Sequence, residues 1–186
     1  MKIVTLCGSL RAQSSNQAIL QAYARLAPAG VTVEHYQAMG SLPHFNPDLD
    51  GETVPTDVAT LRDLIASADT VVISTPEYVH ALPGSFKNAL DWLVSDPRFA
   101  GKPVVILHVA RGSSWALDSL REVLRTMSAR LIDNAQVLLP LSTNKVDADA
   151  ILAREDLRKM LEESMRELIS KARPSRVEAH SRPGEG

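Results

Sequence analysis

The sequence predicts a doubly wound α/β protein, with one five-stranded parallel sheet covered by helices on both faces. Three observations carry this. Short runs rich in β-branched residues alternate with longer segments of helical period along the chain. Two of the runs, residues 70–75 (TVVIST) and 103–109 (PVVILHV), are apolar almost throughout, as strands covered on both faces must be. The chain has 186 residues, 45% hydrophobic and 23% charged, enough to bury one full core without disulfides or metals.

The elements follow in order. Residues 2–7 (KIVTLC) form the first strand, and residues 15–27 a helix with Ile19, Leu20, Tyr23, Ala24 and Ala27 on one face. Pro28 and Gly30 stop that helix, and the alternating residues 31–36 (VTVEHY) form the second strand. A proline-containing loop runs from 40 to 55, after which Thr56 is expected as the N-cap of a helix carrying Val58, Leu61 and Ile65. The third strand is 70–75, and Pro83 is expected to open a helix to Val94 with Phe86, Ala89, Leu90 and Leu93 inward. The fourth strand is 103–109. Ser113 or Ser114 should cap the next helix, striped by Leu117, Leu120, Leu124 and Met127. A fifth strand is expected within 130–139 and a last helix over 150–171, with Leu157, Leu161, Leu168 and Ile169 inward. Residues 1–172 are therefore expected to form a single domain. Residues 173–186, polar and carrying Pro174 and Pro183, are expected to be a disordered tail.

Composition excludes several function classes. The net charge is −2 and no window concentrates Lys and Arg, so a nucleic-acid surface is not expected. The single cysteine, Cys7, rules out an internal disulfide and a four-cysteine zinc site, and no His, Cys or carboxylate group shows metal-ligand spacing. The apolar run at 104–110 is interrupted by His108 and far too short for a bilayer. The apolar start is also too short for a signal peptide, so a cytoplasmic protein with no membrane partner is expected.

In open parallel sheets ligands bind beyond the carboxyl ends of the strands, so the loops after the first, third and fourth strands matter most. The first reads Gly8-Ser9-Leu10-Arg11-Ala12-Gln13-Ser14-Ser15-Asn16 and leads into a helix. Backbone N–H groups, hydroxyls, the Asn16 amide and the Arg11 guanidinium converge at a positive helix end, which suits a single phosphate. Neither the G-x-G-x-x-G spacing nor a Walker lysine is present, which argues against a dinucleotide fold and ATP hydrolysis. The plainer reading is a Ser/Asn-rich capping loop with Arg11 in solvent.

These residues carry a family resemblance. Gly8-Ser9-Leu10-Arg11-x-x-Ser14-x-Asn16, Thr75-Pro76-Glu77-Tyr78 and residues 83–92 (PGSFKNALDW) resemble the NADPH-dependent FMN reductases, from Met1 to about Leu168. The segment 42–49 (LPHFNPDL) is similar to that family's loop after the second strand. The resemblance implies a flavodoxin-like sheet of order 2-1-3-4-5, FMN as cofactor and NADPH or NADH as electron donor. It implies that Ser9, Arg11, Ser14, Ser15 and Asn16 hold the FMN phosphate. Pro76, Glu77, Tyr78 and Val79 would run along the flavin ring, and Arg111, Gly112 and Ser113 would approach its other end. The acceptor would be a small molecule (a quinone, flavin, azo compound or chromate), and the chain a homodimer or homotetramer. FMN carries the chemistry, so no catalytic side chain is expected. Two departures stand out: Val79-His80-Ala81 replaces an Asn-Gly-Ser type sequence, and the fourth loop keeps only Gly112, followed by Trp115.

Individual residues have competing readings. Tyr78 serves ring stacking or packing, and Trp115 walls the pocket or meets another subunit. His80 could contact substrate. His108 reads as a hydrogen-bonded core histidine and Cys7 as a small buried hydrophobe. Glu77 reads as a structural hydrogen-bonding group rather than a base. Lys87, Asp91 and Trp92 read as helix packing and subunit contact. The function expected is two-electron transfer from NAD(P)H through FMN to a small acceptor. A flavodoxin-like electron carrier, disfavoured by the weak net charge, and a binding module without flavin are the alternatives.

Overall fold

Parallel pairing organises the chain, seen in a computed structural model that describes residues 1–109, 113–141 and 145–172. In chain order the elements are β1 (Lys2–Cys7), α1 (Ser15–Arg25), β2 (Thr32–His35), α2 (Thr56–Ser67), β3 (Thr70–Ser74) and α3 (Gly84–Val94). They continue with β4 (Pro103–Val109), α4 (Trp115–Thr126), β5 (Arg130–Leu131), β6 (Val137–Leu139), α5 (Ala148–Ala153) and α6 (Glu155–Ala172). The sheet order is β2-β1-β3-β4-β5, every pair parallel, with β6 also paired to β4. This is the flavodoxin-like order expected. Residues 110–112 and the tail at 173–186 lie outside the described residues.

Alternation along the strands divides the core. Ile3, Val72, Val105 and Leu107 face α1, α5 and α6, whereas Val4, Leu6, Val71, Ile73 and Ile106 face α2, α3 and α4. Both sets are buried, which explains why β3 and β4 read as unbroken apolar runs. On one face Tyr23 reaches across to α6, its hydroxyl 3.2 Å from Ser164 Oγ, while Ser164 donates to the Ala135 carbonyl. On the other, Trp92 is fully buried and its Nε1 donates to the Pro43 carbonyl.

Four boundaries differ from expectation. Pro55, not Thr56, occupies the N-cap of α2, and Pro83 likewise precedes α3, which starts at Gly84. A proline fixes its own φ near the required value and has no N–H to leave unpaired. The expected fifth strand is two short pieces. A single 3-10 turn at Asp133–Ala135 separates them, held by Gln136 Nε2 donating to Asp133 Oδ1. The last helix is also divided. Arg154 leaves helical backbone (φ −84°, ψ 109°), and α6 restarts with Glu155 and Asp156 in its first turn, where negative charge is favoured.

The chain reverses direction between β1 and β3. After β1 it moves outward to β2, and after β2 it crosses back to β3 on the other side of β1. The loops leaving β1 and β3 therefore diverge and open a crevice at their carboxyl ends.

Candidate functional site

The crevice is a cavity lined by Ser9, Arg11, Ser14, Ser15 and Asn16 from the loop after β1, and by Thr75, Pro76, Glu77 and Tyr78 from the loop after β3. His108, Val109 and Ser113 complete it around the end of β4. Gly8 lets the first two loops meet. Its N–H donates to the Ser74 carbonyl at 2.9 Å, and a Cβ there would lie 2.0 Å from Thr75 Oγ1 and 3.1 Å from Thr75 Cα. No L side chain fits in that space.

The first loop presents donors without local use. Ser14 is the N-cap of α1, yet no side chain caps the helix, so its first-turn N–H groups face the cavity end uncapped. Asn16 is buried and oriented by Ser74 Oγ, which donates to Asn16 Oδ1 at 2.9 Å. The Arg11 N–H donates to Ser9 Oγ at 3.3 Å, while its exposed guanidinium makes no hydrogen bond or ion pair among the described residues. Cys7 lies beneath this loop and is buried, as expected; burial pushes its thiol pKa up.

Glu77 joins the second loop to α4. Its carboxylate accepts from Ser113 Oγ at 2.5 Å and from the Ala116 N–H at 2.9 Å. It caps a helix whose own N-cap, Ser114, instead donates its hydroxyl to Asp118 Oδ2. The Ala116 N–H and the Ser113 hydroxyl hold the Glu77 carboxyl below the usual range. Beyond Glu77 the loop closes as a two-residue turn, with Tyr78 and Ala81 exchanging both backbone hydrogen bonds at 3.0 Å. Val79 and His80 have φ of +50° and +59°, the positions of a type I′ turn that Asn and Gly normally occupy.

His108 corrects an expectation. It is buried, but its Nδ1 has no hydrogen-bond partner among the described residues, so within them it is not a satisfied core histidine. It is the penultimate residue of β4, flanked in the strand by Leu107 and Val109, at the point where the sheet runs out into the cavity. Burial lowers its pKa, opposed by the nearby Glu77 carboxylate.

Of the residues expected at the site, Ser9, Arg11, Ser14, Ser15, Asn16, Pro76, Glu77, Tyr78 and Ser113 line this one cavity. Val79 does not; it is 98% exposed at the turn tip. Arg111 and Gly112 lie outside the described residues. Thr75, His108 and Val109 also line the cavity, and their signal was position alone, at or just past a strand's carboxyl end. Trp92, expected partly as a subunit contact, is wholly internal, while Lys87 and Asp91 pair with each other on α3. No group of three or more His, Cys, Asp or Glu suited to a metal occurs among the described residues.

Comparison with known proteins yields consistent matches. The family described as NADPH-dependent FMN reductase matches residues 1–144. An NAD(P)H-dependent FMN reductase of Pseudomonas aeruginosa is 31% identical over 173 residues, covering 90% of this chain and 93% of that one. A quinone reductase of Escherichia coli is 35% identical over 153 residues, covering 79% and 81%. A 2-hydroxy-1,4-benzoquinone reductase of a Burkholderia species is 33% identical over 184 residues, covering 95% and 99%. Among solved structures, a flavoenzyme NAD(P)H:(acceptor) oxidoreductase from Paracoccus denitrificans superposes with a TM-score of 0.69 at 24% identity, covering 91% and 97%. That last likeness speaks to fold alone.

Proposed function

The chain belongs to the NADPH-dependent FMN reductase family, and from that membership we propose how its cavity serves the reaction. It is an FMN-dependent NAD(P)H oxidoreductase of the quinone reductase type, passing two electrons as hydride to a quinone-like acceptor. Overall, NAD(P)H, quinone and a proton become NAD(P)+ and quinol. Bound FMN supplies the hydride chemistry; the protein binds, orients and excludes water.

The observation that carries the reading is the set of unused donors at one end of the cavity. Uncapped N–H groups of α1, the hydroxyls of Ser9, Ser14 and Ser15, the Asn16 amide and the free Arg11 guanidinium would hold the FMN phosphate. His108 also lines the cavity, and its Nδ1, without a partner among the described residues, fits a ligand of this kind, because a buried polar atom left unpaired favours a partner on a bound ring. Pro76, Glu77 and Tyr78 would form the shelf along the ring, with Ser113 and the neighbouring Arg111 and Gly112 beside it. Glu77, already engaged by Ser113 and Ala116, keeps the two loops at fixed spacing and is not free to act as a base. Val79 would contribute through backbone only, since its side chain faces solvent.

The domain would span residues 1–172, because α6 closes the core with Leu157, Leu161, Met165 and Leu168. No helix among the described residues is long and apolar enough to cross a membrane, and a cytoplasmic location completes the proposal. The assembly proposed is the homodimer or homotetramer that the family resemblance implies, which sedimentation would count.

FMN titration followed by anaerobic NADPH addition tests the function. Saturable binding of one flavin per chain and bleaching of its visible absorbance are expected. Binding without bleaching by NADPH or NADH would favour an electron carrier, and absence of binding would favour a module without flavin.

A further inference from the structure

Two rings stand at the rim of the cavity, outside its lining. His80, in the turn after β3, stacks on Trp115, the first residue of α4, with centroids 5.8 Å apart and planes 17° from parallel. Each lies two residues beyond a cavity-lining residue, Tyr78 and Ser113 respectively. The two flanking loops are thus fastened twice, by the half-buried Glu77 and by this exposed stack. The stack faces solvent, with Trp115 61% exposed and Tyr78, beside it in the chain, 46% exposed. Holding Val79 and His80 at positive φ costs free energy that a turn of Asn and Gly would avoid, and it places the imidazole against the indole.

Resting on the flavoenzyme reading above, we infer that the His80–Trp115 stack is the wall that receives the acceptor, and that it selects planar aromatic acceptors such as quinones. Tyr78 and Ser113 line the cavity and the stack carries both loops outward from it, so an acceptor approaching a bound flavin along this rim would meet the stack. A flat ring gains offset stacking against an exposed aromatic face, which a non-planar acceptor cannot. The imidazole and indole edges also carry N–H donors suited to a quinone carbonyl. A small molecule fits this surface better than a second copy of the chain. Tyr78, Val79 and Trp115 are three side chains, short of the roughly 800 Å² per partner that a stable protein interface buries.

The test uses the FMN-loaded proteins Trp115→Ala, His80→Ala and Trp115→Phe beside the parent. Acceptors are 1,4-naphthoquinone and ferricyanide, the latter non-planar and reduced without ring stacking. In Trp115→Ala the KM for naphthoquinone rises about five- to tenfold with kcat within about twofold of the parent, and ferricyanide kinetics are unchanged. His80→Ala shifts the same KM by a smaller factor, and Trp115→Phe, which keeps a flat ring, restores most of it. A second readout needs no turnover. Of the two tryptophans Trp92 is buried, so naphthoquinone added without reductant should quench the Trp115 emission saturably, and the quenching should vanish in Trp115→Ala. Equal losses with both acceptors, or an unchanged naphthoquinone KM, overturn the inference. So does dissociation of an oligomer by Trp115→Ala, which would make the rim a subunit contact. A parent chain that binds no FMN overturns the flavoenzyme reading itself and is recognised before any variant is made.

Discussion

At the scale of single residues, Arg11 and Val79 make opposite predictions. Arg11 spends its charge on nothing in the described protein, so its removal should leave folding untouched and weaken flavin binding. Losing a charged hydrogen bond to phosphate is worth about 2 kcal/mol, so Arg11→Ala should raise the FMN dissociation constant roughly thirtyfold. Fluorescence titration checks this, and an unchanged affinity would remove Arg11 from the phosphate site. Val79 is a β-branched residue at φ +50° with its side chain in solvent. Val79→Asn keeps the turn and relieves strain, so urea unfolding should show a gain of about 1 kcal/mol with FMN affinity unchanged. A loss of stability would mean that the valine makes contacts this geometry does not contain.

Elements are locked together by a few polar side chains acting across long stretches of sequence. Arg62 on α2 is buried; its Nε donates to the Trp92 carbonyl at 2.9 Å, and its Nη2 reaches Asp50 Oδ1 at 2.8 Å and Ser95 Oγ at 2.7 Å. Burial raises the Asp50 carboxyl, but the Ser95 hydroxyl and the Arg62 guanidinium outweigh it and hold the pKa below the usual range. One guanidinium thereby fixes the turn at Pro47–Leu49, and the loop containing it, against the end of α3. Arg62→Ala leaves the Trp92 carbonyl without its side-chain donor and the Asp50 carboxylate with only the Ser95 hydroxyl, and should cost about 3 kcal/mol of unfolding free energy. Chemical denaturation measures it, and a cost below about 1 kcal/mol would show that water replaces the guanidinium without penalty. Little of this was legible beforehand. Helical stripes on α1 to α4 announced themselves by period, whereas the break at Arg154 and the split of the fifth strand follow from packing on α1 and α6 that a local pattern does not contain.

Across the whole molecule, pH should act through the buried His108 and the half-buried His35. Burial depresses the His108 pKa below its ordinary 6.5, and burial depresses His35 likewise. Above that value folded and unfolded chains are both neutral at these sites. As pH falls through it the unfolded chain takes up protons that the folded chain refuses, so stability declines until the folded pKa is reached. His108→Leu removes one of these sites together with its orphaned nitrogen, so the loss between about pH 7 and about pH 5.5 should shrink, as urea unfolding at the two values would show. An identical slope in variant and parent would place the titration elsewhere. The sequence by itself determined the alternation of elements, the two-sided burial of β3 and β4 and the donor-rich loop from Ser9 to Asn16. Each of these is written in neighbouring residues, as period, β-branching or clustered small polar side chains. Only the tertiary structure decided that Glu77 caps α4, that His108 Nδ1 lacks a partner among the described residues and that His80 lies on Trp115. Those outcomes depend on groups about 35 residues or more apart in the chain, brought together when β3 and β4 pair side by side.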